Sequence, residues 1–196
     1  MDVKVSVVSY ITEIMWITAL DAPYDDEKMN EIFQLTVVVF ENLSHVSSHF
    51  YSKVISILDI VAKIRSCLVM LDLECDALVV EMFQTFFKII SSNHLHEVFS
   101  TMETIMTMVI DESDNISLEL LSLLLAIVRK ENEIVSSSSW KLGEKVITNC
   151  AAKLQPYLQQ VVCSIGEGVA SDAFCPTKVG QAVDATFKLV LGDYYT

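Results

Sequence analysis

Helix-breaking residues are almost absent from the first 165 residues of the chain, where Gly143 is the only glycine. The whole sequence of 196 residues contains 5 glycines and 3 prolines, whereas sheets joined by tight turns need many such residues. Apolar residues recur at helical spacing in one segment after another. Because 52% of the residues are hydrophobic, the chain can bury a large core. The sequence therefore predicts an all-α fold.

Short polar breaks divide this pattern into about eight helical segments. The first spans residues 3–19, the seventh runs from about Ile134 past Cys150, and the eighth begins near Pro156, since proline is well tolerated in a first helical turn. Residues with good capping side chains stand near the ends of the breaks. The expected helix starts are at Asp25 or Asp26, at Cys75 or Asp76, and at Ser117.

The spacing of the helix starts indicates a repeat. Starts recur about every 20 to 25 residues, so a helix pair takes about 40 to 50 residues, as in HEAT-type arrays. Segments such as "EMFQTFFKII" are apolar on more than one side, which a helix between two layers requires. We expect a right-handed α–α superhelix, a HEAT-repeat-like array over residues 1–165, with a closed helical bundle as the alternative. Residues 166–196 hold four of the five glycines, and we expect a weakly structured tail with at most one short helix.

Charge and cysteine content limit the classes of partner and compartment. The formal net charge is −13, so nucleic acid is an unfavourable partner and basic peptides or basic protein surfaces are better ones. The cysteines are odd in number, contain no CxxC pair and suit a reducing compartment. Asp2 and Glu13 argue against a signal peptide, and no apolar run reaches the roughly 20 residues of a membrane span. The five cysteines are Cys67, Cys75, Cys150, Cys163 and Cys175.

Motifs for metal binding or catalysis are weak or missing. His45 and His49 have the spacing of two metal ligands on a helix, but they lie in the serine-rich break "SHVSSH" and are better explained as loop residues. His94 and His96 are two apart and would diverge on a helix. The serine run 136–139 has no nearby histidine and suits a helix start, and the chain has neither a Gly-x-Ser-x-Gly elbow nor a phosphate loop. We therefore predict no enzyme activity, no metal and no cofactor.

The break "TALDAPYDDEKMNEIF", residues 18–33, has two explanations. In the structural one, Pro23 and Tyr24 form a turn, and the acids that follow stabilise the next helix by about 0.3 to 1 kcal/mol each. In the functional one, the Tyr24 ring and nearby carboxylates, Asp21 among them, form a cradle for an arginine through stacking and charge-assisted hydrogen bonds. The residues alone leave both explanations open.

Three longer stretches resemble a known family. "ALDAPYDDEKMNEIFQL", "LDLECDALVVEMFQTFFKII" and "VFSTMETIMTMVIDESDNISLELLSLLLAIV" are similar to the precocious-dissociation-of-sisters family of cohesin cofactors, and especially to its plant members. The likeness runs in one register from about residue 2 to about residue 165. Members are long nuclear HEAT-repeat scaffolds that bind the kleisin subunit of cohesin and regulate sister chromatid cohesion.

The resemblance also implies a binding site. The family has a loop motif, Ala-Pro-(Asp/Glu)-Ala-Pro-Tyr, implicated in docking tyrosine- or phenylalanine-containing peptides of cohesin regulators such as the wings-apart-like protein. Leu20 stands where the motif has its first proline, and the other positions match. The predicted peptide-binding residues are Ala19, Leu20, Asp21, Ala22, Pro23, Tyr24, Asp25 and Asp26.

The resemblance thus predicts a non-catalytic scaffold of cohesin regulation in the nucleus, with the kleisin subunit and cohesin regulators as partners and no direct contact with nucleic acid or membrane. Two alternatives remain: a generic HEAT or armadillo adaptor unrelated to chromatin, or a truncated family copy with little activity of its own. Members are several times longer, so a fragment, a short gene copy or a truncated product is expected. We also expect exposed stack ends to favour self-association.

Overall fold

The computed structural model describes residues 3–18, 24–91 and 93–166, and within these ranges every regular element is helical. Contacts divide the chain into two units, Met1–Asp114 and Asn115–Thr196. The first unit contains α1 to α6 and the second α7 to α10. The helices are α1 Val3–Thr18, α2 Asp26–Phe40, α3 Tyr51–Lys63, α4 Val69–Asp72, α5 Asp76–Ile89, α6 His96–Glu112, α7 Leu118–Ile127, α8 Lys130–Val135, α9 Ser137–Asn149 and α10 Ala151–Gly166.

The helices of the first unit form two layers. In one layer α1 packs beside α3, and α3 beside α6. In the other, α2 packs against α5, and α1 contacts α2 between the layers. Helices that are neighbours in a layer are therefore not consecutive in sequence. This is the arrangement expected of stacked helix pairs.

The α5 helix shows why the sequence forms layers. Its fully buried Phe83 and Phe86 lie among further buried residues around the helix, so α5 is apolar on more than one side, as predicted. Phe86 contacts Phe40 of α2, with ring centroids 5.4 Å apart and planes tilted by 48°. Burying each such aromatic side chain stabilises the fold by about 1.5 to 3 kcal/mol.

Polar side chains fix the turns of the first unit. His94 Nε2 lies 2.9 Å from the carbonyl oxygen of Leu43, and Ser91 N–H donates to Nδ1 at 3.0 Å. A neutral imidazole that donates through Nε2 and accepts through Nδ1 satisfies both contacts. His94 thus joins the turn before α6 to Leu43, which lies three residues after the end of α2.

Two non-glycine residues adopt left-handed backbone conformations at the ends of helices. Arg65, with φ of 55°, follows α3, and Glu74, with φ of 52°, follows α4. Such positions usually favour glycine. The Arg65 guanidinium donates to Glu112 Oε1 at 2.6 Å, which links the end of α3 to α6. The α4 helix includes Leu71 and Asp72 of "LDLEC", which is one of the short polar breaks between the predicted helical segments, so this break is partly helical.

The predicted seventh helix is wrong in its boundaries. The structure has α8, which starts before Ile134, and α9, which ends at Asn149, and Ser136 separates them with φ of −135° and ψ of 55°. Serine hydroxyls compete for backbone hydrogen bonds and so favour helix ends over helix interiors. The serine run does begin a helix, as predicted, because α9 starts at Ser137.

The predicted start of the eighth helix near Pro156 is also wrong. The α10 helix begins at Ala151 and contains Pro156 in its interior. Proline provides no N–H for the preceding turn, which normally disfavours this position. Burial of Leu154, which is only 1% exposed and whose N–H donates to the Cys150 carbonyl at 2.9 Å, stabilises the turn before the proline.

Cysteine environments fit the expectation of small core residues. Cys67 and Cys150 are buried, and Cys75 is half-buried. Burial raises the pKa of the Cys67 thiol to about 12, so this thiol stays protonated and unreactive in the folded chain. Cys163 and Cys175 have no described side chains.

Among the described residues, no helix combines the length and the apolar character that crossing a bilayer requires.

Trp140 provides a test of packing in the second unit. Its Nε1–H donates to the Val128 carbonyl at 3.1 Å, which ties α9 to the end of α7. We predict that Trp140→Phe lowers the free energy of unfolding by about 1 to 3 kcal/mol, because the buried carbonyl loses its donor. Urea unfolding measures the change. Trp16→Phe is the control, since Trp16 is half exposed and should change stability by less than about 0.5 kcal/mol. Equal losses of stability in the two variants would show that the Trp140 hydrogen bond to Val128 does not stabilise the fold.

Candidate protein-interaction site

The predicted docking loop lies between α1 and α2. The first helix ends at Thr18, whose hydroxyl donates to the Ile14 carbonyl at 3.1 Å. The structure describes the loop again from Tyr24, which forms a bend before α2 and is 37% exposed. The remaining predicted residues lie outside the described residues: Ala19, Leu20, Asp21, Ala22 and Pro23.

Asp25 fixes the start of α2. Its backbone is extended, with φ of −67° and ψ of 166°, and its Oδ1 accepts a hydrogen bond from the Lys28 N–H at 2.9 Å. This is the N-cap geometry predicted for Asp25 or Asp26. The cap sets the direction in which the chain enters the helix, and Tyr24 immediately precedes it. Ser117 caps α7 in the same way through the Leu120 N–H at 3.2 Å, as also predicted.

The surface beside Tyr24 is acidic. Asp25, Asp26 and Glu27 are all exposed, and the last two lie in the first turn of α2, where the helix dipole favours negative charge. The one base in this turn, Lys28, pairs with Glu31 at 2.5 Å. A hydrogen bond to Glu31 and its charge raise the pKa of Lys28. The exposed ring and three carboxylates suit a cationic ligand with an aromatic or planar group.

A groove that the sequence did not predict lies between α1 and α3. It has a volume of about 380 Å³ and is lined by Trp16 and Ile17 of α1 and by Ile60 of α3, with charged side chains around it. Asp59 and Lys63, which also line it, form an ion pair at 2.7 Å. No local signal marks this groove, because α1 and α3 meet only through layer packing. Trp16 and Ile17 are the last two residues of α1 before Thr18, at which the helix ends.

The predicted metal-ligand candidates do not come together among the described residues. Within residues 3–18, 24–91 and 93–166, no three histidine, cysteine or acidic side chains are grouped so as to hold a metal ion. His45 contacts the Ser44 hydroxyl at 2.9 Å, and His49 stacks on Phe50 with centroids 3.8 Å apart. Both histidines lie in a non-helical segment.

Comparison with known families identifies the chain. The model of the family described as "Sister chromatid cohesion protein PDS5 protein" matches residues 1–172. The chain belongs to the PDS5 family. The family expected from the sequence is therefore confirmed.

Individual PDS5 relatives agree with this assignment. Homolog D of Arabidopsis thaliana is 52% identical over 190 residues, covering 96% of this chain and 23% of the relative. Homolog C of the same plant is 56% identical over 165 residues, which cover 84% of this chain and 19% of that relative. The chain thus spans about a fifth of the length of these relatives. The match to homolog D also extends past residue 165, farther than the sequence resemblance indicated.

A solved structure confirms the fold. The chain in "Structure of the Pds5-Scc1 complex and implications for cohesin function" superimposes with a TM-score of 0.72 at 21% identity, over 97% of this chain and 30% of that chain. The all-helical repeat array predicted from the sequence is therefore confirmed, and the closed bundle is excluded.

The cap provides a test of the loop geometry. We predict that Asp25→Ala lowers the free energy of unfolding by about 0.5 to 2 kcal/mol, because the Lys28 N–H loses its acceptor. Asp25→Ser should retain most of the stability, since a serine hydroxyl can accept the same hydrogen bond. Thermal and urea unfolding measure both changes. Equal losses for the two variants would show that Asp25 does not stabilise the helix as a cap.

Proposed function

We propose that this chain is a non-catalytic helical-repeat scaffold of cohesin regulation that docks short peptides of cohesin regulators at residues 19–26. The observation that carries the proposal is an exposed tyrosine beside three exposed carboxylates, Asp25, Asp26 and Glu27, at the position where the family has its docking motif. Its partners are the kleisin subunit of cohesin and regulators such as the wings-apart-like protein, and it acts in the nucleus. Membership of a cohesion family and the fold of a Pds5 chain support this proposal.

The local chemistry supports a peptide ligand over a small-molecule substrate. Tyr24 offers a ring face and edge, and the carboxylates next to it attract an arginine or lysine of the ligand. The groove between α1 and α3 adds an apolar surface at the other end of the loop, where Trp16 and Ile17 can receive a neighbouring apolar residue. A short basic and aromatic peptide would use both features.

Titration with a labelled peptide that contains tyrosine and arginine tests the docking surface. We expect Tyr24→Ala to weaken binding by at least about tenfold, because a central aromatic contact commonly contributes more than 1 kcal/mol to binding. Fluorescence anisotropy measures the affinity. Higher salt should weaken the wild-type complex, since exposed charges take part. Equal affinities of the wild type and the variant would remove the loop from the mechanism.

The charge contribution has a matched control. Asp26 and Glu119 are both exposed acids in the first turn of a helix, α2 and α7 respectively. Asp26→Asn and Glu119→Gln each remove one negative charge from the first turn of a helix, but only the first lies beside Tyr24. We expect only Asp26→Asn to weaken the peptide complex. A similar effect of both variants would indicate a general effect of net charge on binding.

Leu20 provides a gain-of-function test. Proline at this position in the family motif restricts the unbound loop, so less conformational entropy is lost when the peptide binds. We predict that Leu20→Pro strengthens peptide binding by about two- to fivefold, as expected for about 0.4 to 1 kcal/mol. Calorimetry of the wild type and the variant measures the difference. Weaker binding of the variant would show that this loop needs leucine at that position.

A pull-down from nuclei tests the wider role. With the full chain as bait, cohesin subunits should be recovered, and the Tyr24→Ala variant should lose cohesin regulators. Recovery of partners without any cohesin component would favour the generic adaptor.

A further inference from the structure

The outer side of α1 carries an apolar stripe, which we define as Val3, Val7, Tyr10, Ile14 and Ile17. These side chains are 70%, 40%, 66%, 41% and 80% exposed. Their spacing of 4, 3, 4 and 3 residues is the heptad spacing of helices that pack along their length. The buried residues of α1 lie on the opposite side of the helix: Val5, Val8, Ser9, Thr12 and Met15. The α1 helix is therefore apolar on two sides, and only one of them is covered in the described structure.

Exposed apolar surface is concentrated on this helix. Among the described residues, twelve large hydrophobic side chains are exposed, and six of them belong to α1, the stripe together with Trp16. The other six are scattered over loops and other helices. Since a buried aromatic side chain removes roughly 150 to 250 Å² from water, the α1 surface amounts to on the order of several hundred Å². A standard interface buries roughly 800 Å² per partner, so the stripe is large enough for the centre of one.

The charge and the residue spacing of the α1 stripe indicate which kind of partner fits it. A heptad stripe is matched by a second helix with the same spacing, and among the described helices α1 is the one that exposes such a stripe. The chain carries a net charge of −13, but the described part of α1 contains one base, Lys4, and one acid, Glu13. Lys53 lies over the Tyr10 ring at 5.7 Å and adds a further base. Two α1 helices therefore bring no excess of like charge to the contact itself.

We propose that the α1 stripe is a dimerisation surface, on which a second copy of this chain packs its own α1 about a two-fold axis. The same residues then face each other in the two copies, as an isologous interface requires. This proposal goes beyond peptide docking and does not depend on it.

Sedimentation velocity and light scattering of the full chain test the proposal. We expect the wild type to pass from monomer to dimer as concentration rises. Tyr10→Glu combined with Ile14→Glu should raise the dissociation constant at least about 100-fold, because unpaired carboxylates would be buried in the seam. Both residues are exposed in the monomer, so the variant should keep the wild-type circular dichroism and, at concentrations where the wild type is monomeric, its unfolding midpoint.

The control places the same charges elsewhere. Ile134 and Val135 of α8 are 91% and 81% exposed, so Ile134→Glu combined with Val135→Glu replaces two exposed apolar residues at the same change of net charge. This variant should dimerise like the wild type. A wild type that stays monomeric, or assembles beyond the dimer, would overturn the proposal, and so would equal weakening by the two double variants. A monomeric wild type would also indicate that another segment of the chain covers the stripe.

Discussion

The contact between the rings of Phe40 and Phe86 shows the constraint on which the first unit depends. Both rings are fully buried, and they join α2 to α5 across 46 residues of sequence. A layered stack holds together only through such contacts between helices that are not consecutive, because each helix pair alone cannot cover its apolar surface. The turns can then remain short and polar. Tyr24, which immediately precedes α2, is positioned by this packing and by the Asp25 cap.

Local interactions could be predicted from the sequence, since they involve residues three or four positions apart. The caps at Asp25 and Ser117 are of this kind, and so is the apolar character of α5 on more than one side. Other features depend on distant residues and could not be predicted. Pro156 lies inside α10, and the turn before it is packed through the buried Leu154, whose burial depends on the tertiary structure. The Arg65 guanidinium pairs with Glu112, which is 47 residues away.

The candidate site also has one part that could be predicted from the sequence and one part that could not. The sequence located the aromatic residue and the acids, because they are consecutive, and the likeness to a family gave them a role. The groove was not predictable, since Ile60 reaches Trp16 only through the packing of α3 beside α1. The physical chemistry of the loop residues alone left both a turn and a binding surface open. Family membership, shown by the match over residues 1–172, favours the binding surface.

Ile17 belongs both to the α1 stripe and to the lining of the groove beside α3. Under the two proposals, a peptide that covers this side chain and a second copy of the chain need the same surface. Binding of one must then reduce the apparent affinity for the other by an equal factor. Regulator peptides would dissociate paired copies, and a high local concentration of the chain would release the peptides. One isoleucine would thus make occupancy by regulators depend on how much of this protein is present.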